Sequence, residues 1–376
     1  MKAECKQWLE SKISKIQSLE SYGAEQTNES IAKKFGLSPA NIVKLNYNEN
    51  LFLPREQLIH LLKEVAEECD LRIYPQEEEG KLKAKIGEYL KISPECVTVG
   101  NSSDEVMDRI IRIFLERGDK AVTFTPTFSI FKFCVNYGGA NFVGVPLKDD
   151  LAVDVVAMQS CFTPDAKLLY LCSPNNPTAN QLKRREVEAL TEAFPGIVLV
   201  DEAYAEYADY SVVPLIEKYE NLVVLRTFSK AFGLAGLRLG YAVANPRLAC
   251  AIDKLPTPYA VNVVSLSMGR KLLENITMVV RSVEALKVER RSLTNELGKI
   301  KGVTAFDSKT NFVLFNVDKP YEDVYLSVLK QGLVIKKLGR LLKFPNCLRS
   351  TVGTPNMNDK LLNALKQELG ESNNES

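Results

Sequence analysis

The segment RTFSKAFGLAGLRLGY, residues 226–241, holds a single lysine, Lys230, between small polar residues and a glycine-spaced run, and Arg238 follows eight residues later. Such a lysine can form a Schiff base with a carbonyl group, and such an arginine can hold a phosphate. The alternative is a solvated lysine at the start of a surface helix. The choice depends on what else the chain carries.

A second motif, VGNSSDEV at residues 99–106, reads as a strand, a turn of small residues and the start of a helix. Free main-chain N–H groups at a helix N-terminus suit a phosphate. Simple N-capping by Ser103 or Asp104 is the competing interpretation of this motif. Taken alone, the motif does not decide between the two.

Two more polar motifs follow apolar runs that read as strands. Asn176 lies in LCSPNNPTAN, which taken alone is an ordinary turn. Asp201 ends the apolar run of IVLVDEAYAEY, and Tyr204 follows three residues later. A carboxylate in such a position is costly unless it faces a cation. Because ligands gather at the carboxyl ends of parallel strands, we expect these motifs to meet at one edge of a sheet.

Together the four motifs match what pyridoxal phosphate requires of a protein. The cofactor needs a lysine for its aldehyde, an anion for its ring nitrogen, donors for its phenolic oxygen and a cradle for its phosphate. The residues that supply these groups are Lys230, Asp201, Tyr204 with Asn176, and Ser103 and Asp104 with Arg238.

The composition excludes several other classes of protein. The formal net charge is +1, from 48 basic and 47 acidic residues, so no nucleic-acid or anionic-membrane signature is present. No apolar run approaches the length that spans a bilayer, and the N-terminus lacks the apolar segment of an export signal. Eight scattered cysteines and one histidine, His60, give little support to a zinc site or a disulfide framework. We expect a cytoplasmic protein.

The positioning elements follow from the alternation of apolar strands with helices of 10–15 residues between about residue 96 and residue 230. This pattern predicts a mostly parallel sheet covered on both faces. Beyond Pro258 a long helix, three alternating segments and a closing helix predict a smaller α+β domain. The predicted organisation is an N-terminal arm (1–45), a large cofactor domain (46–269) and a small domain (270–376).

The chain resembles the fold-type I pyridoxal-phosphate aminotransferases. The resemblance is carried by four motifs that occur in this order: GNSSDE, PNNPT, DEAYAEY and TFSKAFGLAGLRLGY. LNYNEN, IYPQ, PTFSIF, SKTNFVLF and NCLRSTVGT are similar to motifs of the histidinol-phosphate aminotransferase subfamily within them. The resemblance implies the aspartate aminotransferase-like fold, with a mostly parallel sheet of the seven-stranded type. It also implies amino transfer between glutamate and imidazole-acetol phosphate, in histidine biosynthesis.

The resemblance implies a role for each matching position. Lys230 would bind the cofactor and move the substrate proton, Asp201 would pair with the ring nitrogen, and Tyr204 with Asn176 would bond the phenolic oxygen. The residues implied at the remaining cofactor positions are Phe128 on the ring face and Ser103, Asp104, Thr227, Ser229 and Arg238 at the phosphate. Those implied at the substrate are Tyr22, Asn176, Arg349 and Lys336.

The resemblance also implies a homodimer with shared active sites, because Tyr74 of the IYPQ motif would reach the cofactor phosphate of the neighbouring subunit. An aromatic amino-acid aminotransferase and a phosphothreonine decarboxylase on the same scaffold are the alternative enzymes. A cofactor-binding protein without catalysis is disfavoured, since the cofactor residues are intact. A Rossmann dehydrogenase is disfavoured because no GxGxxG follows the first strand.

Three positions depart from the family pattern. Ala179 stands where glycine is usual, and it would be strained if the turn needs a positive φ. The loop at residues 51–54 is remodelled. Lys336 and Lys337 replace the arginine and aspartate of the subfamily, so a cation is kept but planar two-point binding is lost. All three departures bear on specificity rather than on cofactor binding.

Overall fold

The computed structural model describes residues 3–17, 26–255 and 258–370. The α-helices are α1 (Ala3–Gln17), α2 (Asn28–Phe35), α3 (Arg55–Glu68), α4 (Glu78–Leu90), α5 (Ser103–Phe114), α6 (Ser129–Gly138), α7 (Val155–Gln159), α8 (Arg184–Ala193), α9 (Pro246–Ile252), α10 (Val263–Glu274), α11 (Ile276–Gly298), α12 (Tyr321–Lys330) and α13 (Pro355–Gly370). The β-strands are β1 (Val43–Lys44), β2 (Val97–Gly100), β3 (Lys120–Thr125), β4 (Asn141–Pro146), β5 (Ala166–Cys172), β6 (Ile197–Asp201), β7 (Leu222–Thr227), β8 (Gly240–Ala244), β9 (Val303–Ala305), β10 (Phe312–Val317), β11 (Leu333–Val334), β12 (Lys336–Leu341) and β13 (Phe344–Thr351).

The large sheet has seven strands in the order β2-β8-β7-β6-β5-β3-β4. β8 runs antiparallel to both of its neighbours, and the other six strands run parallel to one another. The mostly parallel sheet predicted from the sequence is therefore confirmed. Its antiparallel strand was not predicted, because GYAVA is short and lies at the end of a motif that was interpreted for its chemistry.

The central strands are buried along almost their whole length, which explains their continuous apolar sequences. On one face, α5 packs against β5, β7 and β8 with a strongly amphipathic sequence. The helix begins directly after β2, so its N-terminus lies beside the carboxyl end of β7, where β8 starts. This packing brings the VGNSSDEV motif to the edge of the sheet that carries the other motifs.

The smaller α+β part predicted near the C-terminus is a four-stranded antiparallel sheet in the order β12-β13-β10-β9. α12 and α13 pack together, and α12 also contacts β12 and β13. A two-stranded parallel pair, β1 with β11, ties the segment before the large sheet to this part of the chain. The domain boundaries at 45 and 269 stay a prediction.

The prediction of one long helix after residue 262 is wrong, since the segment forms two helices, α10 and α11, which meet at Asn275. The backbone of Asn275 has φ −107° and ψ 33°, and its side-chain amide donates to the carbonyl of Lys271 at 2.9 Å. Asparagine competes in this way with the helical hydrogen bonds of the main chain. Among the described residues, no helix is both long and apolar enough to cross a membrane.

Candidate active site

The predicted motifs converge at the carboxyl edge of the large sheet. Asp201 is the last residue of β6, and Thr227 is the last residue of the neighbouring strand β7. Cys172, which ends β5, is the register partner of Asp201 on the other side and leads into the loop that holds Asn176. The alternation of strands and helices thus brings segments far apart in sequence to one place.

Lys230 lies three residues beyond β7, in a turn rather than on a surface helix. Its Nζ donates to the main-chain carbonyl of Tyr47 at 3.0 Å and lies 5.9 Å from the ring centre of Tyr204. Burial lowers the pKa of the Lys230 amine to about 8, and the positive charge of Arg349 adds to that effect. A buried amine with a lowered pKa is a nucleophile and a proton carrier near neutral pH.

Asp201 is buried, and no cation among the described residues pairs with it. Its Oδ2 accepts from the hydroxyl of Tyr170 at 2.7 Å, and its Oδ1 accepts from the main-chain N–H of Ala203 at 3.0 Å. Burial raises the pKa of the Asp201 carboxyl to about 6. A buried carboxylate held only by neutral donors fits a cationic ligand group such as a protonated pyridine nitrogen.

Tyr204 is buried beside Phe312, and its hydroxyl oxygen accepts from the side-chain amide of Asn48 at 2.9 Å. Asn48 has φ 58° and is itself held by Thr351, whose Oγ1 accepts from the Asn48 N–H at 2.9 Å. Because Asn48 donates to the phenol oxygen, the hydroxyl proton of Tyr204 remains free to donate to a ligand. Asn48 was missed from the sequence, although LNYNEN was quoted as a subfamily motif.

Asn176 and Arg349 meet although they lie far apart in sequence. Nη1 of Arg349 donates to Oδ1 of Asn176 at 2.5 Å, and Nη2 donates to the carbonyl of Asn46 at 2.8 Å. The guanidinium carbon lies 5.0 Å from the ring centre of Phe312, the same ring that packs against Tyr204. The structure therefore places the residue expected at the substrate anion beside the residues expected at the phenolic oxygen.

The other implied phosphate residues form a cluster at the start of α5. Arg238 donates to the carboxylate of Asp104 at 2.9 Å and to Oγ of Ser229 at 3.4 Å. The N–H of Ser229 donates to Oγ1 of Thr227 at 3.0 Å. Since the Asp104 carboxylate is itself an anion, only its main-chain N–H can contribute to holding a phosphate.

The N-cap expected at Ser103 or Asp104 is a residue earlier. Ser102 caps α5 by accepting from the N–H of Glu105 at 3.3 Å, and Ser103 is the first helical residue. A Cβ built on Gly240 would lie 2.2 Å from the N–H nitrogen of Ser103. The side-chain cap therefore does not cover the N–H groups of Ser103 and Asp104, and a glycine is required for the close approach of β8.

The remaining predicted residues lie at different distances from this centre. Phe128 directly precedes α6 and is half-buried against the main core. Lys336 is the register partner of Arg349 on the adjacent strand. Lys337 lies on the opposite face of β12, with its Nζ 4.9 Å from the ring centre of Tyr325, so its charge does not face Arg349.

Tyr74 does not hydrogen-bond to or stack on any of the other predicted residues that the structure describes. It is 72% exposed and stacks on Tyr259, with 5.0 Å between ring centres. Tyr22 lies outside the described residues. The cluster within one chain is therefore built from the other predicted positions.

Ala179 has φ 66° and is fully buried. The turn therefore does need a positive φ, and an alanine adopts it. The left-handed conformation costs an L-residue about 1–2 kcal/mol. Glycine would remove that cost, but it would lose about 0.8 kcal/mol of methyl burial and about 0.5 kcal/mol of unfolded-state restriction. We therefore expect Ala179→Gly to change the free energy of unfolding by less than about 0.7 kcal/mol, as measured by urea unfolding.

The matched control is Ala189→Gly on the exposed side of α8, where φ is helical. That change should destabilise the protein by about 1 kcal/mol. An equal loss at both positions would contradict the argument that Ala179 is strained.

The side chains and main-chain groups of this cluster match the chemical groups of pyridoxal phosphate. Lys230 is half-buried without a carboxylate partner among the described side chains, and Asp201 is buried without a cation among them. Hydroxyl, amide and guanidinium donors lie around them, and the close approach of Gly240 leaves main-chain N–H groups at the start of α5. This donor set matches an aldehyde, a ring nitrogen, a phenolic oxygen and a phosphate.

Comparison with known proteins identifies the family. The family model of aminotransferase class I and II matches residues 40–365. The chain is 36% identical over 329 residues to histidinol-phosphate aminotransferase from Thermoanaerobacter sp. (strain X514), which covers 87% of this chain and 93% of that protein. It is 35% identical to the enzyme of that name from Roseiflexus castenholzii, over 94% of this chain and 96% of the relative.

A solved structure agrees with this assignment. Histidinol-phosphate aminotransferase from Sinorhizobium meliloti, in complex with pyridoxal-5'-phosphate, superposes with a TM-score of 0.84 and 25% identity, over 94% of this chain and 96% of that one. The chain belongs to the class I and II aminotransferases and is a pyridoxal-phosphate-dependent transaminase.

Proposed function

We propose that the protein is a histidinol-phosphate aminotransferase, which interconverts L-histidinol phosphate and 2-oxoglutarate with imidazole-acetol phosphate and L-glutamate. The observation that carries the proposal is the 33–36% identity to enzymes of that name across 87% of the chain. The site supports it, because Arg349 and Lys336 are neighbours on adjacent strands and present two cations to an anionic substrate group.

The proposed cofactor roles follow the chemistry of each side chain. Lys230 would bind the aldehyde carbon, Asp201 would pair with the ring nitrogen, and Tyr204 and Asn176 would donate to the phenolic oxygen. The other proposed contacts are Phe128 at the ring face and Ser103, Asp104, Thr227, Ser229 and Arg238 at the phosphate. When bound, pyridoxal phosphate supplies an electron sink that acidifies the Cα–H bond of the amino substrate.

Lys230 is proposed to carry the proton that leaves the substrate Cα. A pKa of about 8 means that about a tenth of the amine is neutral at pH 7 and can accept a proton, far more than at the ordinary lysine pKa. The carbonyl of Tyr47 accepts from Nζ at 3.0 Å and so orients the amine within the buried site. The half-buried position of the side chain limits contact of the amine with water, which favours transfer to the substrate over exchange with solvent.

The substrate contacts are proposed from charge and position. Arg349 is held by Asn176 and Asn46, so its planar guanidinium is already oriented for a carboxylate or a phosphate. Lys336 adds a point charge from the adjacent strand. Tyr22, which lies outside the described residues, is proposed to line the same pocket.

The test is a single-turnover reaction followed by the absorbance of the bound cofactor. The purified enzyme is mixed in turn with L-glutamate, L-histidinol phosphate, L-phenylalanine and L-threonine phosphate. We expect fast conversion of the cofactor to its amino form with the first two substrates. A response to phenylalanine but not to histidinol phosphate would select an aromatic aminotransferase. Carbon dioxide release from threonine phosphate would select a decarboxylase.

We also propose that two chains assemble and share their active sites. Tyr74 supports this, because it is 72% exposed and lies in a segment with two more exposed apolar side chains, Leu71 and Ile73. Such a segment is stabilised when a partner covers it. In the dimer the Tyr74 hydroxyl would donate to the cofactor phosphate of the other subunit.

Tyr74→Phe is expected to weaken cofactor affinity about 10- to 100-fold, because a hydrogen bond to a charged group contributes about 1.5–3 kcal/mol. Affinity is measured by titrating cofactor-free protein, with Tyr137→Phe, also exposed, as the matched control.

A mixed dimer of Tyr74→Phe and Lys230→Ala chains would contain one complete site. Mixing the two inactive or weakened proteins should therefore restore activity at low cofactor concentration, and no restoration would contradict sharing.

A cytoplasmic location is proposed as well. All eight cysteines are free, and four of them are buried as small apolar side chains. Thiols that stay unpaired are typical of proteins in a reducing compartment.

A further inference from the structure

Tyr170 lies inside the large sheet, directly behind the active site. It is the fifth residue of β5, with no exposed surface, and its hydroxyl donates to Oδ2 of Asp201 at 2.7 Å. Residues two apart on a strand face the same side, so Tyr170 and Cys172 share a face, and Cys172 is the register partner of Asp201. The phenol therefore runs along the sheet face to the carboxylate that ends the next strand.

The ring of Tyr170 is held on several sides. Phe131 stacks on it with 4.1 Å between ring centres and 10° between ring planes. Oγ1 of Thr123, on the neighbouring strand β3, donates to the main-chain carbonyl of Tyr170 at 2.8 Å. In a close-packed interior this leaves the phenol oxygen little freedom to move away from Asp201.

We propose that Tyr170 is a positioning residue of the transamination reaction, which keeps Asp201 ionised and holds its carboxylate in the orientation that the cofactor ring nitrogen requires. This role rests on the binding of pyridoxal phosphate, and it does not depend on which amino substrate the enzyme uses.

The charges around Asp201 show why a donor is needed. Among the described residues, the titratable groups that act most strongly on it are Tyr170 and Cys172 from β5, Asp104 from α5 and Glu202 beside it, and none of these is a cation. Burial and the two carboxylates disfavour the ionised form, whereas Tyr170 and the Ala203 N–H favour it. Burial also raises the pKa of Tyr170 well above its usual value, so the phenol remains a donor throughout the working pH range.

Ionisation of Asp201 matters because only a carboxylate can accept from a protonated ring nitrogen. A neutral carboxyl group that kept its proton would only donate a hydrogen bond to an uncharged ring nitrogen, and an uncharged ring is a weaker electron sink. Tyr170 therefore acts on the reaction through Asp201 and does not touch the substrate.

The test starts with the cofactor-free protein carrying ¹³C-labelled aspartate carboxyl groups. The Asp201 signal is identified as the one missing from Asp201→Asn, and its pKa is read from a pH titration by NMR. Tyr170→Phe is expected to raise this pKa by about one unit, since it removes a donor to the charged form. In the loaded enzyme, ¹⁵N-labelled cofactor should show less protonation of the ring nitrogen. The factor by which kcat falls should be about ten times larger than the factor by which KM changes.

The matched control is Tyr241→Phe, which removes another buried phenol hydroxyl from a neighbouring part of the sheet. It should leave the Asp201 pKa unchanged. An equal shift in both variants, or none in Tyr170→Phe, would overturn the proposal.

A fluorinated tyrosine in place of Tyr170 keeps the shape of the side chain and makes its phenol a stronger donor. It should lower the Asp201 pKa, the opposite direction to Tyr170→Phe. A shift of the same sign in both proteins would show a packing effect and overturn the proposal. Because the titration uses no substrate, its failure is separate from any failure of the proposed substrate assignment.

Discussion

Replacing Lys230 with alanine is expected to lower kcat by at least about 10⁴-fold, because the amine would serve as both the covalent anchor and the proton carrier. The absorbance band of the covalently bound cofactor should disappear as well. The measurement is steady-state kinetics together with the spectrum of the reconstituted protein.

The fold should survive this change. Within the described part of the chain, Nζ makes one hydrogen bond, to Tyr47, and burial lowers the pKa of the amine, which means that its charged form is destabilised where it lies. Removing it also removes that desolvation cost. The cofactor-free variant should therefore unfold at a urea concentration no lower than that of the cofactor-free parent.

The matched control is Lys254→Ala, which removes an exposed lysine just after α9. It should leave both kcat and the spectrum unchanged. A Lys230→Ala protein that still converts the cofactor with glutamate at the normal rate would contradict the role assigned to Lys230.

The position of most of the site could be predicted from the sequence, for a physical reason. Asp201 and Thr227 each end an apolar strand. Asn176 follows the end of β5 within a few residues, and Lys230 follows the end of β7 in the same way. In a parallel sheet such positions must share one edge. Strand alternation alone therefore predicts that these side chains lie close together, and the resemblance adds Arg349, which comes from the other sheet.

The residues that support the site could not be predicted in this way. Tyr170 looks like one more apolar strand residue, because the identity of its hydroxyl partner depends on the register between β5 and β6. Asn48 depends on a contact with Tyr204 across 156 positions of sequence. Hydrogen bonds of this kind have no local pattern, since they depend on packing that forms only in the folded chain.

The errors in the predicted elements have local causes. Ser102, rather than Ser103 or Asp104, caps α5 because its backbone turns at φ 85° before the helix begins. Asn275 divides a continuous helical pattern through its own side-chain hydrogen bond. Propensity and periodicity describe the average behaviour of a window, so they miss a single residue whose side chain bonds to the main chain of a residue three or four positions away.

Arg349→Lys is expected to lower kcat/KM about 100-fold for either substrate, while cofactor affinity changes less than about threefold. The guanidinium is buried and oriented by Asn176 and Asn46, and it can bind an anion at two points. A lysine amine keeps the charge but loses this planar geometry. The measurement is kcat/KM for glutamate and for histidinol phosphate, with Arg340→Lys on the exposed side of β12 as the matched control.

A second variant, Arg349→Met, separates geometry from charge. The positive charge of Arg349 helps to lower the pKa of Lys230, so removing the charge should raise that pKa above its value of about 8, whereas Arg349→Lys should leave it in place. The pKa is read from the pH dependence of cofactor capture by the cofactor-free protein, which requires the neutral amine. If both variants lose substrate affinity but only Arg349→Met shifts this profile upward, Arg349 acts on the substrate through its shape and on Lys230 through its charge. Equal losses of substrate and cofactor affinity in Arg349→Lys would instead show that the side chain is only structural.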